Sequence, residues 1–202
     1  MTAKRDFVTN NYYHIFNRGA NKQNVFFDVT DLHRFLEGIY FSNSIKSYGG
    51  IYDIKRLPEK FKRFLKDEPL IEITCYCLND NHFHIQMKQL VDNGISIFMQ
   101  RLMGGYTKHI NKRYHRTDSL FGSKYKSVEM KNNDQLLYTS AYINMNNFKH
   151  ASDLYESSLE EYVGTQGSNL FKCKKDIILN QFKSKNEYKK YCEDVLKFML
   201  EP

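Results

Sequence analysis

Residues 79–87 read NDNHFHIQM, which places His82 and His84 one residue apart inside an apolar, strand-like run. Side chains alternate across a strand, so the two imidazoles share one face while Phe83 and Ile85 share the other. Helices packed on the Phe83 face would leave both imidazoles projecting together, at a separation suited to a shared divalent ion or phosphate. A complete ion site needs a third donor, often Asn, Gln, Asp or Glu, and open positions for a substrate. The stretch YTSAYINMNN offers one, because Tyr138, Tyr142 and Asn146 fall four apart and stack along one helical stripe. A phenol and a carboxamide one turn apart present a nucleophile and a ligand to the same ion. The same period also describes two aromatic core residues. A rival pair, Tyr106 and Asn111 in YTKHIN, is five residues apart. That spacing is about 500° of helix, roughly 140° out of line, so geometry favours Tyr142.

The elements that would hold these groups follow from period and punctuation. YYHIFNRG (12–19) reads as a strand stopped by Gly19. Leu32, Phe35, Leu36, Ile39 and Tyr40 form a helical stripe after Thr30 or Asp31 as cap. Residues 46–69 read as an insertion, broken by Gly49-Gly50, with a short basic helix after Pro58. IEITCYCLNDNHFHIQMKQ predicts two strands joined by a tight turn at residues 79–81. Residues 94–115 predict a second amphipathic helix, with a break at Gly104-Gly105, and a basic strand follows around 120–130. A third helix begins with Asn133 or Asp134 as cap, and the tail carries two helical stretches, SSLEEY and SKNEYKKYCEDVLKF. This order predicts an α+β fold of the ferredoxin-like, RRM-like kind, an antiparallel sheet with helices packed on it. Residues 1–150 form the expected domain and 151–202 a helical C-terminal extension.

Composition narrows the classes. The chain has 202 residues, 41% hydrophobic and 15% aromatic, enough for a globular core. No window approaches the roughly 18 apolar residues of a membrane span. The N-terminus, MTAKRDFVTN, lacks the apolar core of a secretion signal, so the expected location is cytoplasmic. Lys and Arg number 30 against 23 Asp and Glu, a net charge of +7 that favours a polyanionic partner, nucleic acid first. Cys75, Cys77, Cys173 and Cys192 contain no CxxC pair, which argues for buried thiols over a zinc knuckle or disulfide framework.

His82-Phe83-His84 resembles the motif of the HUH single-strand endonucleases. YHIFNRG, NHFHI, YTKHINKRYHRTDSLFGSKYKS and YINMNNFKHA, with SSLEEY in the tail, are similar to the blocks of the REP-associated tyrosine transposases, in order and across most of the chain. The resemblance implies a nucleophilic tyrosine on a late helix and an Asn or Gln metal ligand four residues on, which carries over to Tyr142 and Asn146. It implies Mg²⁺ or Mn²⁺ held by His82, His84 and Asn146, and single-stranded DNA cleaved beside a hairpin through a 5′-phosphotyrosine, by a monomer or homodimer. Neutral imidazoles bind metal, so activity is expected to fall below about pH 6.5. Arg18, Arg101, Lys108, Lys112, Arg113, Arg116, Lys124 and Lys126 are the expected DNA contacts, with Tyr114, Phe121 or Tyr125 for base stacking. The pattern departs at Asp80 and Asn147, where the family carries proline, and at Lys124, where it carries arginine; the 46–69 insertion is also longer. The alternative is a non-catalytic hairpin-binding domain on the same fold. A cyclic-phosphodiesterase-like site would need a second HxT or HxS pair, which the sequence lacks.

Overall fold

The computed structural model describes residues 6–47, 49, 56, 68–164 and 170–201. Most of the expected 46–69 insertion, including the helix after Pro58, lies outside the described residues. Five strands form one sheet in the order β4-β1-β3-β2-β5, every pair antiparallel. They are β1 (Tyr12–Arg18), β2 (Ile71–Asn79), β3 (His82–Gln89), β4 (Lys126–Glu129) and β5 (Tyr155–Ser157). β2 and β3 are the hairpin predicted from the Asn-Asp-Asn turn, paired from Ile71↔Gln89 to Asn79↔His82.

Helices cover both faces. On one, α1 (Val29–Ser42) and α2 (Gly94–Arg113) close a core of Phe26, Phe35, Ile39, Phe83, Ile85, Phe98 and Leu102. On the other, α3 (Asn133–Asn144), α5 (Leu159–Val163), α6 (Asp176–Leu179) and α7 (Lys185–Leu200) close a second core around Cys75, Cys77, Ile143, Tyr162, Tyr188 and Cys192. The short α4 (Asn146–His150) follows α3. The pattern anticipates helices only on the Phe83 face. The second layer was hidden because the β2 and β3 residues it buries are Cys75, Cys77 and Gln86, which do not read as apolar; Gln86 is fully buried but spends both ends of its amide, on Thr74 and on the Leu136 carbonyl. All four cysteines are free and buried, the state read from their spacing.

The register of β2 slips between Ile73 and Cys75. Ile71 and Ile73 face the first core, and so do Tyr76 and Leu78, so one extra residue resets which side chains point where. The helix ends also differ from the pattern. Asp28, not Thr30 or Asp31, caps α1, and Asn132, not Asn133 or Asp134, caps α3. Asp31 is instead fully buried and accepts from Arg113, from the Tyr114 hydroxyl and from the Phe27 amide, pinning α1 to the end of α2. α2 runs unbroken through Gly104-Gly105, where an added Cβ would meet nothing within 4 Å. Tyr40 completes no stripe; it is exposed. The predicted tail helices are present, and the tail also supplies β5 at the sheet edge.

Candidate active site

β3 lies between β1 and β2 and is buried along almost its whole length. Its alternation sends Phe83 and Ile85 into the first core and His82 and His84 to the opposite face, 5% and 8% exposed, with ring centroids 5.2 Å apart. α3 crosses that face and brings the half-buried Tyr142 ring to 5.6 Å from His84. The stripe predicted for Tyr142 and Asn146 does not run on one helix. α3 ends at Asn144, and Asn146 opens α4 after Met145. The turn still delivers the carboxamide, whose Oδ1 lies 2.9 Å from His82 Nε2. Tyr138 stacks one turn before Tyr142, 39% exposed, at 6.5 Å between ring centroids. Within one chain, two imidazoles, a carboxamide and a phenol therefore meet.

The two imidazoles and the phenol line a cleft of about 440 Å³ with Phe16, Arg18, Ser123, Lys126, Lys149 and His150, while the fully buried Asn146 touches it only through His82. Of the expected DNA contacts, Arg18 and Lys126 reach this cleft, and Lys124 is exposed between its lining residues Ser123 and Lys126. Lys108 and Lys112 are exposed on α2, across the sheet from the histidines. Three arginines are engaged elsewhere: Arg101 with the Ser44 carbonyl, Arg113 with Asp28 and Asp31, and Arg116 with Asp118. The expected stacking residues have structural roles as well: Phe121 is buried in the first core, against which Tyr114 and Tyr125 pack. Tyr106, the rival nucleophile, is 1% exposed in that core and donates its hydroxyl to the Val25 carbonyl. The pattern missed His14, Lys149 and His150. His14 sits on β1 with its Nε2 2.8 Å from His84 Nδ1, and His150 meets the His82 ring edge-on at 4.6 Å. For His14 the signal was available, since it falls on the same face of its strand as Phe16 and Arg18. His150 lies four residues past Asn146, one turn further round.

Burial governs the electrostatics. It pushes His14 and His82 down to about 4 and His84 well below its ordinary value, and it lowers the half-exposed His150. Burial therefore favours the neutral form of each of these imidazoles. Burial raises the Tyr142 phenol, with the neighbouring Asn146 carboxamide pulling the other way.

The donor set suits an octahedral cation. Neighbouring donors around Mg²⁺ sit roughly 3 Å apart, close to the 2.9 Å between His82 Nε2 and Asn146 Oδ1. The Nδ2 of Asn146 is buried with no hydrogen-bond partner, as a carboxamide held for its oxygen would be. Both lone pairs face the Asn79 amide, at 3.0 Å from Asn146 Oδ1 and 3.2 Å from His82 Nε2. Among the described residues no three His, Cys, Asp or Glu side chains form a metal-holding group, so the carboxamide is needed to complete one.

An antiparallel sheet with a polar cleft on its histidine face, closed by a tyrosine-bearing helix, defines an α+β fold whose candidate site lies on the sheet face away from the first core. The family model "Transposase IS200 like" matches residues 7–146, and the chain belongs to that family. The fold is shared with a REP-associated tyrosine transposase solved bound to a REP hairpin, at TM-score 0.53 and 11% identity, covering 86% of this chain and 95% of that one. The comparison with curated proteins returned no match. No helix among the described residues is long and apolar enough to cross a membrane.

Proposed function

We propose that the protein is a metal-dependent single-stranded DNA endonuclease and strand transferase that cuts beside DNA hairpins. The observation that carries this reading is the convergence of Tyr142, His82 and His84 on one cationic cleft, with Asn146 against His82, in a transposase-family chain. The phenol oxygen of Tyr142 bonds to phosphorus, the 3′-oxygen leaves and takes up a proton, and the phenol proton passes to solvent. The products are a 5′-phosphotyrosine and a free 3′-hydroxyl. The linkage retains the energy of the original diester, so the 3′-hydroxyl of another strand can displace Tyr142 and rejoin DNA.

An ordinary phenol at pH 7 is short of its anion by about 4 kcal/mol, and burial of Tyr142 widens that gap. Mg²⁺ or Mn²⁺ on His82, His84 and Asn146 would polarise the scissile phosphate and stabilise the departing oxygen. Arg18, Lys126 and Lys149 hold the strand along the cleft wall, and Lys124 reaches it at the mouth. The hairpin that the structural relative holds supports a hairpin substrate here.

The test incubates single-stranded hairpin oligonucleotides with Mn²⁺ and resolves protein–DNA adducts on a denaturing gel. The parent forms adducts, Tyr142→Phe forms none while still shifting the hairpin on a native gel, and EDTA has the same effect. Tyr106→Phe keeps adduct formation and loses about 1–2 kcal/mol of stability for its hydrogen bond. Hairpin binding that no metal supports and no adduct follows would instead establish the non-catalytic binder.

A further inference from the structure

The two imidazoles of the candidate metal site are each backed by a second residue on their Nδ1 side. His82 Nδ1 lies 2.6 Å from Asn81 Oδ1. Which end of the Asn81 amide faces the ring is fixed independently, because its Nδ2 is directed at the Lys22 carbonyl, 3.4 Å away. That carbonyl is presented by a tight turn in which Asn21 and Lys22 take positive φ of 51° and 61°. Asn81 Oδ1 and Asn146 Oδ1 both only accept, but Nε2 also faces the Asn79 N–H at 3.2 Å. The proton on Nδ1 therefore makes the shorter bond to Asn81 and leaves Nε2 to accept from Asn79 or to meet a cation. His84 Nδ1 lies 2.8 Å from His14 Nε2, across β1 and β3, where Phe16 is the register partner of His84. The His14 ring is held against Phe16 at 4.8 Å, and its centroid lies 5.0 Å from that of His84. Neutral imidazole has one N–H, so either His84 donates to His14 or the reverse. Only the first leaves His84 Nε2 free on the cleft side.

Resting on the metal reading above, we propose that His14 and Asn81 are positioning residues. Each accepts the Nδ1–H of one ligating imidazole, so that His82 and His84 both present a bare Nε2 to a Mg²⁺- or Mn²⁺-class cation. Residues that orient a ligating histidine in this way typically change metal affinity by about 10–100-fold when removed. In this chain one comes from the turn that starts β3 and the other from a neighbouring strand, so the sheet itself sets the tautomers before any ion arrives.

The experiment has two arms on the full chain. In the metal-free protein at neutral pH, long-range ¹H–¹⁵N spectra of the histidine rings assign the tautomers of His82 and His84, with His14→Phe, His14→Gln and Asn81→Ala for comparison. Mn²⁺ alone is then titrated by calorimetry. The expected result is Nδ1–H on both rings in the parent. His14→Phe should move the His84 proton to Nε2 and weaken Mn²⁺ binding about 10–100-fold. His14→Gln, whose amide oxygen can accept the same proton, should keep the parent tautomer and bind within a few-fold. Asn81→Ala should release the His82 tautomer alone. A parent His84 already protonated on Nε2 overturns the proposal while Mn²⁺ uptake would leave the metal reading standing. Equal losses in His14→Phe and His14→Gln also overturn it, because the hydrogen bond would then not be the agent. A parent with the stated tautomers that takes up no Mn²⁺ overturns the metal reading itself.

Discussion

A phenol held against neutral imidazoles in a half-buried cleft is chemically quiet until charge arrives, and the same burial couples the site to pH. His14 and His82 titrate near 4 in the folded chain against an ordinary value of 6.5. The unfolded chain therefore binds more protons between those limits. Stability is complete above about pH 6.5 and falls as pH drops toward 4, by roughly 2 kcal/mol per histidine at pH 5. Urea unfolding of the metal-free protein at pH 7 and pH 5 measures this, and His14→Phe should remove its share of the difference. The histidine pair was legible in the sequence because a period of two puts its members on one face. The pairing of Tyr142 with Asn146 was legible in outcome only: the helix ends before Asn146, and a turn rather than a stripe delivers the carboxamide. The face His14 occupies on β1 was legible, but its pairing with His84 was not, because strand order, which local pattern does not encode, puts β1 beside β3.

Among the elements, the least legible feature is the slip in β2. A strict alternation over ITCYCLN cannot put Ile73, Tyr76 and Leu78 on one side, yet the irregularity between Ile73 and Cys75 does so. The strand's existence was plain, but the position of its irregularity depends on packing from both sides. Gly19 marks a second constraint at the end of β1. A Cβ there would come within 2.0 Å of the Gln23 carbonyl oxygen, in the turn that presents Lys22 to Asn81. Gly19→Ala should cost about 1–3 kcal/mol in urea unfolding. The cap positions moved by a few residues for a related reason. Asp31, acidic and near a helix start, reads as a cap, but its carboxylate anchors Arg113 and Tyr114 instead, so Arg113→Ala should lower Tm without altering DNA affinity.

At the scale of the whole molecule, the positive charge is divided between surfaces. Arg18, Lys126 and Lys149 line the cleft, whereas Lys108 and Lys112 project from the helical layer on the far side of the sheet. Lys126→Ala and Lys149→Ala should each reduce the log–log salt slope of single-strand binding by about 0.7, measured by fluorescence anisotropy across a salt series. Lys112→Ala should leave it unchanged. Net charge predicted a polyanionic partner but could not apportion the lysines, because their allocation follows from which sheet face each helix covers.

The helix that carries Tyr142 leans on the far end of the chain. Asn144 donates to the Tyr188 hydroxyl and accepts from Ser158, and Ser140 accepts from Tyr188 in turn. During synthesis, the first four strands emerge while the helix that carries Tyr142 still lacks this backing. The segment around residue 188 must leave the ribosome before the helix under Tyr142 gains these hydrogen bonds, some 46 residues after the tyrosine itself has been made.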